Sequence, residues 1–272
     1  MTKAYMDITV CGKRIYNTVG VSSGDHTGKR ATRKRITPEA ARKYNDRLAA
    51  RKLEMLIDNN FGPGDGWHTL TYAEPPTRAE AEKELNNFLR RMKYRMGKAG
   101  KELKYIAVTE YENHRIHHHV LMNSDDSALV QKVWGKGYAR TTPVQDEETH
   151  RRLAEYMIKE TQKTFRDPDS ERKQRCKKSR NLVKPVTKRV EVSMKHLFQE
   201  PEPIDGYYIV KESLRKYENP VTGLQHMEYI QAPLREPRRF RRWPAGKIVK
   251  EKPIPVPYEK QRSIFEMFEE RM

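Results

Sequence analysis

Between Trp67 and Thr142, short β-branched and aromatic runs alternate in a fixed order with helical apolar stripes, and that order constrains the fold more than any other feature. Trp67–Tyr72 (WHTLTY) reads as a strand. Thr77-Arg78-Ala79-Glu80 is a capping box, followed by Leu85, Phe88, Leu89, Met92 and Met96 at helical spacing to about Gly97. Lys104–Glu110 and Ile116–Asn123 read as two strands joined by a turn at Tyr111–Arg115. Asp125 is predicted to open a short helix carrying Leu129, Val130, Val133 and Trp134, closed by Gly135 and Gly137. Tyr138–Thr142 is a fourth strand, and Asp146 is predicted to cap a long helix to about Lys163. This is an α+β order, βαββαβ, the ferredoxin-like or RRM-like plan of an antiparallel sheet on two helices, here with an added helix. Because that plan hosts unrelated activities, function has to be argued from side chains.

The flanks are different in kind. Tyr5–Cys11 reads as one short strand, followed by a loop and the basic run Lys29–Arg35. Thr37-Pro38 starts a helix with Ala41, Tyr44, Leu48 and Met55 on its apolar face, ending near Asn59. The organisation expected is a basic N-terminal segment and helix over 1–60, a core over 61–166, and a basic, proline-rich region over 167–272. Within the last, Gly206–Val210 and His226–Ala232 read as strands around a turn at Asn219–Gly223. The formal charge of the 272 residues is +18, which suits a polyanionic partner, since cations that neutralise phosphates release counterions. Arg235–Lys252 holds eight Lys or Arg against two acids and includes Phe240 and Trp243, a composition that can track a backbone and stack on bases. A solvated charged tail is the competing reading. No apolar run is long enough to span a bilayer, the first residues lack a signal-peptide pattern, and two cysteines make neither a disulfide framework nor a four-thiolate zinc site. A cytoplasmic location is expected.

Candidate chemistry centres on Arg115-Ile116-His117-His118-His119-Val120. On a strand, His117 and His119 share one face and His118 takes the other. Glu110 ends the preceding strand, so a hairpin brings its carboxylate beside that face. Two imidazoles and a carboxylate with open positions suit Mn²⁺ or Mg²⁺; an exposed histidine cluster and an ordinary edge carboxylate are the plainer alternatives. On the last helix, Arg152, Tyr156, Lys159 and Lys163 fall on one stripe. Cations around Tyr156 would favour the phenolate and neutralise phosphate oxygens, whereas a boundary tyrosine beside solvated lysines is the routine alternative. Together with a divalent ion, such a tyrosine can attack a phosphodiester.

Glu110, His117-His118-His119 and Tyr156-Met157-Ile158-Lys159, in that order, resemble the HUH endonuclease pattern of rolling-circle replication initiators, and Trp67–Tyr72 resembles that family's first motif. Asn60-Phe61 through Tyr72 and Ser179–Leu182 are similar to the bacterial and phage group related to the filamentous-phage gene II replication protein. The resemblance covers roughly residues 37–190. It implies metal ligands at Glu110, His117 and His119, a nucleophile at Tyr156, Lys159 at the phosphate, and a 5′-phosphotyrosine intermediate with a free 3′-OH. Its implied partners are single-stranded or hairpin origin DNA and the host helicase and polymerase. Arg152, Lys163, Arg180, Arg239, Arg241 and Trp243 are the candidate DNA contacts, and His68 with Thr69–Tyr72 is expected to support the sheet beside the site. Two departures stand out. His118 replaces the bulky hydrophobe inside the family's triplet, and one tyrosine, not two, lies on the helix, so a second protomer's Tyr156, or Tyr138, is a candidate for termination. A non-catalytic binding protein on an RRM-like sheet and a single-tyrosine transposase are the alternatives.

Overall fold

A computed structural model describes residues 4–21, 37–111, 115–147, 149–161, 175–220 and 222–234. The described chain divides into two compact units, Ala49–Val183 and the residues on either side of it.

In the central unit, β3 (Gly66–Thr71), β4 (Tyr105–Glu110), β5 (His117–Met122) and β6 (Ala139–Pro143) form an antiparallel sheet in the order β6-β3-β5-β4, extended at the β4 edge by the two-residue β7 (Lys177–Lys178). Strand alternation sorts the side chains into two cores. On one face Leu70, Ala107, Val120 and Met122 pack under Leu85, Phe88, Leu89 and Met92 of α2 (Arg78–Lys98) and Val130 and Trp134 of α3 (Ser127–Trp134). On the other, Ile106, Val108 and Leu121 pack with Ala50, Leu53 and Ile57 of α1 (Pro38–Asp58) and Ala154, Met157 and Ile158 of α4 (Arg151–Glu160). Cys176 and Leu182 join that second core, so this unit extends beyond the 61–166 stretch marked by its motifs.

Local signals account for most element ends. The capping box forms as predicted: the Thr77 hydroxyl accepts from the Glu80 amide at 3.3 Å, and the Glu80 carboxylate accepts from the Thr77 amide at 2.8 Å. For α3 the cap is Asp126, one residue beyond the expected Asp125, and Gly135 closes the helix in the left-handed region at φ 59°.

Two helices differ from expectation. Asp146 does not cap α4, because β6 runs to Pro143 and the buried Val144 donates its amide to the Asp65 carbonyl at 2.9 Å, holding the chain extended. The helix starts after His150, whose Nδ1 pairs with the Asp58 carboxylate at the end of α1, both groups buried. In α1 the buried stripe is Ala50, Leu53, Glu54, Ile57 and Asp58, and the expected face of Ala41, Tyr44, Leu48 and Met55 is only half-buried. Two acids belong to the inward face, so apolar spacing alone points to the wrong side. Removing the imidazole with His150→Ala leaves the Asp58 carboxylate buried without it; a loss of about 3 kcal/mol in urea unfolding is expected, and a midpoint within error of the unmodified protein would contradict the pair's structural role.

The other unit is a second antiparallel sheet. β1 (Ala4–Cys11) and β2 (Arg14–Val21) turn at Gly12, where φ is 57°. β8 (Val186–Val192) pairs with β1, and β11 (Gln225–Pro233) pairs with β2, while β10 (Arg215–Glu218) and β9 (Tyr207–Ile209) both pair with β11. Ile8, Ile15, Val19, Met227 and Tyr229 fill its core. β2 stands where the sequence suggested a loop, and the flanks expected as separate segments share one sheet.

Candidate active site

The register of the β4–β5 hairpin sets Glu110 opposite His117, and that of β3 sets Thr69 opposite His119. Glu110, His117, His119, Trp67 and Thr69 therefore share the sheet face covered by α4. His118 points the other way, fully buried, with Nδ1 2.9 Å from the Thr109 hydroxyl and Nε2 2.7 Å from the Tyr72 hydroxyl. The alternation argument thus separates the three histidines as expected. His118 serves the helical core.

His119 is the hub. Its ring is 6% exposed and stacks on Trp67, with centroids 5.3 Å apart and planes 4° from parallel. Nε2 lies 3.2 Å from Glu110 Oε2 and 3.1 Å from the Tyr156 hydroxyl, and Nδ1 lies 3.2 Å from the Thr69 hydroxyl. One nitrogen cannot donate to Glu110 and accept from Tyr156 at once. When Nε2–H donates to Glu110, Nδ1 accepts from Thr69. When Nε2 accepts the phenol's proton bond, Nδ1–H donates to Thr69. The Thr69 hydroxyl supports both tautomers because it can donate or accept. Burial holds the His119 pKa below the ordinary imidazole value, against the opposing pull of Glu110, which favours the neutral ring that such an exchange requires.

Tyr156 presents its phenol at the open end of this cluster, 39% exposed, with its ring edge-on to both Trp67 and His119. The cationic stripe predicts an acidified phenol; its pKa is instead pushed up to about 12, first by burial and then by the carboxylates of Glu110 and Glu160. The charges that reach the phenol come from a neighbouring strand and from the next helical turn. Lys159 and Arg152 lie on the exposed side of α4, and Arg180 is exposed beyond the edge strand β7. Lys163, Arg239, Arg241 and Trp243 lie outside the described residues, as does the basic run Lys29–Arg35.

Among the described residues, no three His, Cys, Asp or Glu side chains are gathered tightly enough to hold a metal ion. The donor chemistry nevertheless fits a hard or borderline cation. His117 shares the face with Glu110 and His119, and its Nδ1 is buried without a hydrogen-bond partner among the described residues.

Trp67, as the stacking partner of His119, is the site residue that motif reading passes over, although strand alternation from Thr69 was enough to find it. His68, by contrast, supports the sheet only. It is fully buried on the far face, donating Nε2–H to the Ser124 carbonyl at 2.9 Å and accepting from the Thr141 hydroxyl at 2.9 Å. Burial lowers its pKa from 6.5 to about 4. An unfolded chain binds this proton more readily, so the stabilisation is complete above pH 6.5 and is lost as pH falls toward 4. The expected loss is about 3 kcal/mol from this residue. Urea midpoints measured from pH 7 to pH 4.5 should fall, less steeply in His68→Asn; identical slopes would contradict the assignment.

No helix among the described residues is long and apolar enough to cross a membrane. Residues 65–165 match the family model of the replication-associated proteins of the ORF2 and phage gene II type. The matched span runs from just before β3 to beyond α4 and so contains Trp67, Thr69, Glu110, the three histidines and Tyr156. Comparison with curated proteins and with solved structures gave no match.

Proposed function

Given a chain whose residues 65–165 are those of a replication-associated protein of the phage gene II type, we propose that it initiates rolling-circle replication by nicking single-stranded or hairpin origin DNA through Tyr156. The observation that carries this reading is the convergence of the Tyr156 hydroxyl and the Glu110 carboxylate on one nitrogen of His119, at 3.1 and 3.2 Å. In the proposed reaction the phenol oxygen attacks phosphorus, the P–O3′ bond breaks, and the departing 3′ oxygen takes up a proton. The products are a 5′-phosphotyrosine and a free 3′-OH for a host polymerase, with the phosphodiester bond energy kept for rejoining.

Each side chain has a task in that step. Trp67 and Thr69 fix the plane and tautomer of His119, so the nitrogen faces the phenol before substrate arrives. A phenol with a pKa near 12 is protonated at neutral pH, so its proton must leave during attack, and His119 Nε2 is within reach to accept it. Glu110, His117 and His119 are the residues that would hold Mn²⁺ or Mg²⁺. Such an ion supplies Lewis-acid polarisation of the scissile phosphate. The Nε2 lone pair serves one role at a time, proton acceptor or metal ligand. Lys159, one helical turn from Tyr156, is assigned to the phosphate once DNA is bound.

We read the sheet order as the split βαβ, ferredoxin-like plan. The RRM-like binding module requires a bare sheet face for stacked bases, and here α2 and α3 cover one face while α1 and α4 cover the other. The proposed setting is the bacterial cytoplasm, with origin DNA, helicase and polymerase as partners. An adduct assay tests the reaction class. End-labelled, hairpin-containing single-stranded DNA and Mn²⁺ should give a labelled band at protein size on a denaturing gel, absent with EDTA. A band that persists in EDTA would remove the metal from the account, and no band on the protein's own origin would remove the chemistry.

A further inference from the structure

Across the sheet from Tyr156, the last turns of α2 and α3 enclose a cleft of about 670 Å³, within the size range of small-ligand pockets. Arg90, Arg91, Arg95, Lys132 and Lys136 surround it, with Tyr94 on its wall and the edge of Trp134 at its base. No acid lines it, although Glu84 approaches Lys136 from outside at 3.4 Å. Arg91 braces the cleft by donating to the Val133 carbonyl at 3.1 Å, and Arg90 donates to Asn87 at 3.2 Å. Arg95 and Lys132 have no ion-pair partner among the described residues. Tyr94 is 60% exposed, and Lys98 Nζ sits 4.8 Å from its ring centroid.

A helix pair gains nothing in its own stability from crowding like charges around a concave surface. An exposed aromatic among cations has a specific use: the ring stacks on an unpaired base while the cations take the flanking phosphates. A duplex keeps its bases stacked inside and offers no such face. We infer that this cleft binds single-stranded DNA, holding a stretch of strand apart from the nucleotides at Tyr156. The inference rests on the proposed function for its substrate class but not on the tyrosine chemistry. It gives the protein a second grip on a strand that a nick would otherwise release.

The test is fluorescence anisotropy of the full chain with labelled oligo-dT in EDTA. Arg95→Glu/Lys132→Glu is expected to weaken binding by about tenfold or more and to flatten the salt dependence. Lys52→Glu/Lys101→Glu, which removes the same charge from exposed positions elsewhere in the unit, should cost about threefold at most. Tyr94→Ala should lose about tenfold, and Tyr94→Phe should restore it. Equal losses in the two charge-reversal pairs, wild-type binding by Tyr94→Ala, or losses confined to duplex DNA would each overturn the inference. A protein that binds oligo-dT through the cleft but forms no adduct refutes the nicking reaction alone. One that forms the adduct while its cleft variants bind normally refutes the cleft alone.

Discussion

Tyr156→Phe is expected to abolish covalent attachment to DNA while changing DNA affinity by less than about twofold. The substitution removes one oxygen from a ring whose edge-on contacts with Trp67 and His119 stay in place. The only bond forfeited among the described residues is the 3.1 Å contact to His119 Nε2, and that nitrogen keeps Glu110. Folding should therefore be nearly untouched, with a change of about 1 kcal/mol or less. The loss of attachment should be complete, because phenylalanine has no nucleophile and no neighbouring hydroxyl is poised to substitute: Thr69 already bonds the other side of the same ring. Band-shift and denaturing gels on one DNA separate the two effects. Residual attachment would move the nucleophile elsewhere, with Tyr138, 67% exposed, the first to examine.

The second large effect distinguishes adjacent histidines. His119→Ala is expected to reduce cleavage by about a thousandfold, since it removes the proton acceptor, the metal donor and the surface that orients Tyr156. Its cost to stability should stay moderate, because one side of the cluster is open. His118→Ala should do the reverse. His118 is fully buried between Tyr72 and Thr109, its ring edge-on to Trp134, so deletion opens a cavity and strips partners from two hydroxyls. About 3 kcal/mol of stability should be lost, with near-normal cleavage by the fraction that remains folded. The order of defects in a paired assay of cleavage and urea midpoint checks the strand parity. If His118→Ala abolished cleavage at full stability, the site would belong to the other face.

Strand alternation was the legible part of this molecule. With period 2, three consecutive histidines must divide two to one, and Glu110 must return to the face of His117 and His119 across a short hairpin. The capping box at Thr77 and the left-handed glycine after Trp134 were readable for the same reason: each signal is contained within a few residues. What escaped depends on distant partners. β1 pairs with β8 and β2 with β11 across most of the chain length, and no local pattern in Arg14–Val21 announces those neighbours. The start of α4 is set by a buried carboxylate from α1, not by a side-chain cap of its own. The electrostatics of Tyr156 escaped likewise. A helical stripe reveals Arg152 and Lys159, yet the carboxylate of Glu110 reaches the phenol from a strand 46 positions earlier in the numbering, and only the fold brings it there.

The central claim is that Tyr156 becomes joined to DNA, and peptide mapping of the adduct tests it most directly. The unmodified protein would be reacted with its origin strand and Mn²⁺, digested with nuclease and trypsin, and the peptides sequenced by mass spectrometry. The account expects the residual nucleotide on Leu153–Lys159, the tryptic segment holding Tyr156. A nucleotide on any other tyrosine would contradict it, and so would cleaved DNA with a 5′-phosphate and no attached peptide.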